Sequence, residues 1–600
     1  MSMLRDTAGM AEDLLRLLAG MARTARSRVR GRIDARKTSS EDGGEDPRVP
    51  EPTKRYGVRC LRHNIPGRLE GDGVFGASIT IENTGDFTWE RYHPLGHRVD
   101  LVVRWNGIVA ATHPLPAARV APGETVPVCF PLHAPGVAGP HELSLELVEQ
   151  NVARFCDRGV PPLSLAVVTA PPPDPEKAAL YEIGRTVNPW FYAPTSGIRK
   201  SADGRGFPRF AAKAKGCHLW DLEGRRYIDY IMAWGCTMLG YGDPRIREAV
   251  EAVLDLPPLL PFPHPLEMEV SRMLTEDFPC AEMVVFGKNG SDACTVAARL
   301  ARVHTGRRVI LYSGYHGWQD FWAEQAGFGH SGIPDRPEAL IHRFRFNDLE
   351  DFHRLYQRHR HDLAAVMLEP SGPGESVQGP MQDADRDFLG SIAEAARSAG
   401  ALLVYDEIIT GYRYPGGSVQ QATGVIPDLA CLGKAVGSGM PISALTGRAG
   451  IFQQSMARTH YGPTFKGEIY SFAAAKAAIG IYRTEPVARH IWDYGARLKA
   501  RINGLCGEIG IPAACKGPPF RMALIFDEPD EERLRRMRTL YIQELLKGGM
   551  TTYNGIMLPS YAHDDEVFDQ SIAIIAKALE ITAEAHRHND FDRHIEIPLI

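Results

Sequence analysis

No apolar run in the 600 residues approaches the ~18 needed for a membrane span, which argues against an integral membrane protein. No Cys-x-x-Cys pair occurs among the 10 cysteines. Their scatter argues against a zinc ribbon or a dense disulfide framework and leads to an expectation of reduced thiols in a cytoplasm. There is no basic excess either: 68 Lys+Arg against 73 Asp+Glu gives a net charge of −5, so no global field for nucleic acid exists. A secretory signal is not expected, because Glu12, Asp13 and Arg16 interrupt the leucines between Met10 and Met21. Internal repeats are absent, and so is the glycine spacing of a Walker loop or a dinucleotide fingerprint. What is present is ordinary for a soluble globular chain, with 44% hydrophobic and 24% charged residues. At ~100–200 residues per domain, the length implies two to four domains.

Three textures divide the chain. Residues 1–54 place Leu4, Met10, Leu14, Leu17, Leu18 and Met21 at helical spacing, then turn basic, then acidic and rich in Ser, Gly and Pro. This reads as a basic amphipathic helix, or a solvated tail, followed by a disordered linker. Residues 55–170 hold short alternating segments ("GASITIENTG", "RVDLVVRWNG", "TVPVCFPLHAP", "HELSLELVEQ") separated by turn residues, as in an antiparallel β-sandwich. Trp89 and Trp105 are expected in its core rather than on a sugar-stacking platform. After the proline-rich "TAPPPDPEKAAL", residues 171–600 alternate helical and strand patterns, as in an α/β fold with a largely parallel sheet.

In such sheets ligands bind beyond the carboxyl ends of the strands. Beyond "MVVFG" come Gly290 and Ser291 at the start of a helical pattern. A glycine that admits an anion, a hydroxyl and a helix amino end suit one phosphate, and a plain N-cap would look similar. Beyond "RVILYSG" come Tyr315, His316, Gly317 and Trp318, where an aromatic ring could cover a planar ligand. Beyond "ALLVY" come Asp406 and Glu407. A carboxylate there is costly unless a cation, such as a protonated heteroaromatic nitrogen, pairs with it. Lys434 follows the apolar "LACLG" and precedes a glycine-rich loop. Burial would lower its pKa and make it an amine nucleophile. Anion cradle, ring cover, cation partner and amine together are the inventory that pyridoxal phosphate requires.

"FGKNGSDA", "GYHGW", "LLVYDEIITGYRY", "PDLACLGKAVGSGMPISALTGR" and "GPTFKGE" resemble class III pyridoxal-phosphate aminotransferases of fold type I, and in particular the glutamate-1-semialdehyde aminomutase branch. The resemblance spans roughly Pro189 to Leu579. It implies a large domain, about 246–500, with a mostly parallel seven-stranded sheet, and a smaller α+β domain from the flanking segments. It implies that Lys434 forms the Schiff base with the cofactor and that Asp406 keeps the pyridine nitrogen protonated. Ile408 and Tyr315 would pack on opposite ring faces, and Gly290 and Ser291 would hold the phosphate. Thr464 would reach the neighbour's phosphate, which implies a homodimer with composite sites. Glu369 would lie near the cofactor with no defined role. Arg199 would clamp a substrate carboxylate, and Trp234 matches the family's active-site tryptophan. "ITIENTGDFTWE" resembles the immunoglobulin-like module of NBR1-type domains.

The segment "YNGIMLPSYAHDDEVF" departs from the aminomutase pattern by lacking the short acidic insertion before Ala562-His563. That departure, and the appended β module, lead to an expectation of transfer between an amino donor and a carbonyl acceptor in a specialised biosynthetic pathway. The alternative is intramolecular transfer of the aminomutase type, and the distant alternative is a non-catalytic scaffold. The β module has three readings: a protein- or glycan-binding unit, a packing unit on the catalytic dimer, or a spacer.

Overall fold

The computed structural model describes residues 54–70, 74–91, 98–135, 137, 139–170, 179–180, 183–184, 186–187, 210–319, 322, 340–372, 382–597 and 599. The expected amino-terminal helix and linker, the proline-rich connection and Arg199 lie outside the described residues.

The α/β body is built on seven strands: β1 (Met283–Gly287), β2 (Val309–Ser313), β3 (Ile341–Arg343), β4 (Leu363–Leu368), β5 (Leu402–Asp406), β6 (Leu429–Leu432) and β7 (Ser443–Gly447). Their order is β1-β7-β6-β5-β4-β2-β3, and β7 alone runs against the rest. Every residue of β4 and of β5 is buried. These strands read as continuous apolar runs because both faces of the sheet are covered. Ile310, Tyr312, Val404 and Cys431 enter one core with helix α1 (Gly290–Thr305). Leu311, Leu403, Tyr405 and Leu432 enter the opposite core.

A second core gathers Cys217, Ile228 and Tyr230 with residues from Tyr494 onward, so the two flanks of the chain meet there. It carries two small sheets. One joins Ala211–Lys215, His218–Asp221, Arg226–Asp229 and Met550–Thr551; the other joins Ala513–Lys516, Met522–Phe526 and Ile556–Met557. Helix α2 (Val487–Ile509) contributes Tyr494, Leu498 and Ile502 to this core.

The described residues between Val58 and Ala170 form two main sheets sharing one core. One sheet is Val58–His63, Val74–Asn83 and Thr125–His133; the other holds Arg68–Glu70, Leu163–Ala170, Gly139–Glu149, Val99–Trp105 and Ile108–Pro114. Thr125–His133 alternates exposed and buried residues along its length, the period-two signature visible in its sequence. Trp89 is wholly buried, and Trp105 is buried with its Nε1–H donating to the His133 carbonyl at 2.7 Å, so neither forms a sugar platform. Among the described residues no helix is long and apolar enough to cross a membrane.

Candidate active site

Strands β1, β2, β4, β5 and β6 point the same way, so their carboxyl ends open on one edge of the sheet. Gly290, Tyr315, Glu369, Asp406 and Lys434 all follow those ends. At the first, Asp292 Oδ2 accepts from the N–H groups of Lys288 and Asn289 at 3.1 and 2.8 Å. That bracing leaves the first-turn N–H groups of α1, at Gly290 and Ser291, without a backbone acceptor. Positive helix dipole and free donors make this end an anion cradle. A Cβ on Gly290 would sit 2.6 Å from Ile408 Cδ1, so a larger residue there would have to displace the Ile408 side chain.

At the end of β5, Asp406 is buried and accepts three hydrogen bonds. Its Oδ2 accepts from His316 Nδ1–H at 2.8 Å and from the Cys294 thiol at 3.3 Å, and Oδ1 accepts from the Ile408 N–H at 3.1 Å. Burial raises the Cys294 thiol well above its usual range, so it stays a donor. His316 is buried with its Nε2 unpartnered, and its ring meets Trp322 edge-on at 5.1 Å. Neighbouring Glu407 faces away, accepting from Thr410, Val419 N–H and Gln420 at 3.1, 3.0 and 2.9 Å. Burial pushes its carboxyl up to about 7.

Lys434 follows β6 with a left-handed φ of 38°, an uncommon conformation for a non-glycine residue that clusters at functional sites. Burial lowers its amine below the ordinary lysine range, against the pull of Cys236, Asp406 and Glu369 nearby. Glu369 is buried and accepts the Tyr315 N–H at 3.1 Å, and burial raises its carboxyl. Tyr315 keeps 39% of its surface exposed.

The sequence-based candidates therefore converge only in part. Gly290, Ser291, Tyr315, Ile408, Asp406 and Lys434 gather along one sheet edge. Trp234 is exposed on a left-handed turn of Ala233, Trp234 and Gly235, held by the Arg413 guanidinium donating to the Gly235 carbonyl. Thr464 is exposed on a loop before helix Ile469–Thr484. Sequence reading passed over His316, Cys294, Arg413, Arg521 and Tyr553. His316 stood inside a quoted motif, next to the aromatic that drew attention. Arg521 lies far along the chain and carries no motif, and Tyr553 opens the quoted "YNGIMLPSYAHDDEVF" without being singled out in it.

The aminotransferase class-III family model matches residues 200–579, so the two-sheet unit before residue 171 lies outside it. Glutamate-1-semialdehyde 2,1-aminomutase of Syntrophobacter fumaroxidans is 33% identical over 317 residues, covering 51% of this chain and 72% of that protein. The 3-aminobutyryl-CoA aminotransferase of Cloacimonas acidaminovorans is 29% identical over 382 residues, covering 62% and 89%. Among solved structures, the pyridoxal-phosphate form of the Sphingopyxis sp. MTA144 FumI protein aligns with a TM-score of 0.61 at 26% identity, over 68% of this chain and 97% of that one. A β-phenylalanine aminotransferase from Variovorax paradoxus aligns with a TM-score of 0.57 at 28% identity, over 69% and 95%. A family model spanning more than half of the chain, on this fold and this sheet edge, shows that the protein belongs to the class III aminotransferases, which depend on pyridoxal phosphate.

Proposed function

We propose that this enzyme moves an amino group from an amine donor to a carbonyl acceptor, with Lys434 as the amine that holds the cofactor aldehyde. One observation carries the reading: a buried lysine, whose amine burial pushes below the ordinary lysine range, lies within electrostatic reach of a buried, hydrogen-bonded aspartate on the same sheet edge. The donor set fits the cofactor at both ends. Gly290 and Ser291 offer free N–H groups and a hydroxyl to a phosphate, and Asp406 offers a fixed negative charge to a ring nitrogen.

When bound, the cofactor's pyridinium ring supplies an electron sink for the Cα–H bond of an amine substrate. The protein's own part is positioning and proton traffic. Asp406, oriented by His316 and Cys294, favours the protonated ring nitrogen. Ile408 and Tyr315 would lie on either side of the ring. The Lys434 amine would take the substrate Cα proton and return it. Thr464, exposed on its loop, is proposed to meet a second copy's phosphate, which makes the enzyme a homodimer. Arg199 and Trp234 remain the sequence-based candidates on the substrate side. Residues 55–170 are proposed to be an immunoglobulin-like sandwich that docks a protein or glycan, and the enzyme is proposed to be cytoplasmic, in a specialised biosynthetic pathway.

The test is the visible spectrum of the protein loaded with pyridoxal phosphate, beside Lys434→Ala, titrated with amine donors. A band that requires Lys434 and bleaches with a donor is expected. A bound cofactor whose band is unchanged by Lys434→Ala refutes the assignment. Aminomutases among the relatives favour a second reading, intramolecular transfer. Steady turnover of glutamate-1-semialdehyde without any amine donor would establish it in place of the first.

A further inference from the structure

Where β1 turns into α1, the residues from Phe286 to Asn289 are gripped from outside their own segment. The Phe286 carbonyl accepts from the Tyr461 hydroxyl at 2.8 Å, and the Asn289 carbonyl from the Ser443 hydroxyl at 2.7 Å. A Cβ on Gly287 would lie 2.6 Å from Tyr461 Oη and 2.8 Å from Ser443 Oγ, so both hydroxyls press on the backbone between them. Lys288 completes the set. Its Nζ donates to Glu468 Oε2 at 2.7 Å and to Ser471 Oγ at 3.2 Å, while its N–H belongs to the Asp292 brace already described.

The far end of that ion pair is anchored. Glu468 is the N-cap of helix Ile469–Thr484, its Oε1 accepting the Tyr470 and Ser471 N–H groups at 2.7 and 3.3 Å. The helix is buried along most of its length, and its Phe472 ring meets Phe286 edge-on at 4.8 Å. Lys288 and Glu468 keep only 14% and 12% of their side chains exposed. Against the penalty of burial, Lys288 and Ser471 hold the Glu468 carboxyl below its usual range, so the pair is ionic.

A lysine two residues before an anion cradle could serve a phosphate directly as a point charge. The Lys288 amine is instead spent on Glu468 and Ser471. Nor does a partly buried ion pair contribute much stability by itself, because desolvation offsets most of the Coulomb gain. What such a pair does well is fix a register. Register matters here, because first-turn donors serve a phosphate only when they converge on it, and convergence depends on how the preceding turn enters the helix.

We infer that Lys288 is a positioning residue for the cofactor phosphate: paired with Glu468, it ties the turn that aims the Gly290 and Ser291 donors to a helix of the core. The inference rests on the phosphate placement proposed above.

The full-length protein is stripped of cofactor and reloaded with pyridoxal phosphate or with pyridoxal, which keeps the aldehyde and lacks the phosphate. Dissociation constants are read from the visible band, and urea unfolding of the stripped protein is followed beside them. Lys288→Met and Glu468→Gln should each weaken pyridoxal phosphate by about tenfold, the range of a charge-assisted bond, and leave pyridoxal within about twofold. The double variant should be no weaker than either single, because each removes the same tie. Lys288→Arg should recover most of the loss. Glu468→Gln keeps the helix-capping oxygen, so it carries the test by itself should Lys288→Met not fold. Equal losses for the two ligands overturn the inference and reduce the pair to a support of the fold. Unchanged binding of pyridoxal phosphate in both single variants overturns it as well. So does a loss in Lys288→Met that a folded Glu468→Gln does not share, which would make the lysine a direct phosphate ligand. A wild type that prefers pyridoxal phosphate confines each of these failures to this inference. A wild type that binds both ligands alike sinks the phosphate placement beneath it.

Discussion

Of the three glycines in helix α2, Gly495 and Gly504 should respond to alanine with opposite sign. Exchanging an open helical glycine for alanine gains about 0.5–1 kcal/mol, because alanine has less backbone entropy to lose. Gly504 is exposed, and a Cβ there meets only the ends of the Arg501 and Glu508 side chains at 3.5 and 3.8 Å, ordinary contacts. Gly504→Ala should therefore stabilise. Gly495 faces the 518–521 turn, where a Cβ would overlap the Pro519 carbonyl and stand 3.0 Å from Met522 Cε. A carbonyl cannot rotate away as a side chain can, so overpacking of about 1–3 kcal/mol applies. Subtracting the helix gain leaves Gly495→Ala destabilising by about 1–2 kcal/mol, and the two variants about 2 kcal/mol apart. Urea unfolding followed by helical circular dichroism measures both against wild type, with unchanged m-values licensing the comparison. A Gly495→Ala protein as stable as Gly504→Ala would refute the close approach of α2 to the turn at Pro519.

Three other outcomes follow from the site and its supports. His316→Leu removes the 2.8 Å donor to a buried Asp406 and should cost about 1–3 kcal/mol of stability together with tighter cofactor retention, read as faster loss of the visible band on dilution. Burial, with His218 and His490 adding, lowers His563 to about 3, whereas an unfolded histidine titrates near its ordinary 6.5. Between those values the unfolded chain binds a proton that the folded one refuses, so stability should fall by about 1.4 kcal/mol per pH unit below 6.5. In His563→Gln that acid limb should flatten in urea titrations between pH 6.5 and 4; an unchanged slope would place the titration elsewhere. For Lys434 the lowered pKa means that the neutral amine persists below the range of an ordinary lysine. Covalent capture of the cofactor, followed as the visible band, should hold as pH falls below 10.5 and fail only on passing the lowered value.

Much of the enzyme was legible before any coordinates. Strands covered on both faces must be apolar throughout, so β2, β4, β5 and β6 stand out as continuous runs. Chemistry placed at their carboxyl ends is then marked by the first glycine, aromatic, acid or lysine that breaks each run. That is how Gly290, Tyr315, Asp406 and Lys434 could be named, and the period-two alternation of Thr125–His133 announced a half-buried strand in the same way. His316 was in plain view yet unreadable, because a histidine beside a tyrosine has no signature until folding sets its Nδ1 against Asp406. Arg521 and Tyr553 lie 87 and 119 positions beyond Lys434, in the turns before two short strands of a small sheet, where one arginine in "PPFRMAL" looks like any other. Local pattern, in short, determined which segments are strands and which residues stand at their ends, since burial and backbone pairing act at fixed short periods. Only the tertiary structure decided which distant donors meet which acceptors, since a hydrogen bond such as that of Lys288 to Glu468 is a property of everything that packs around it.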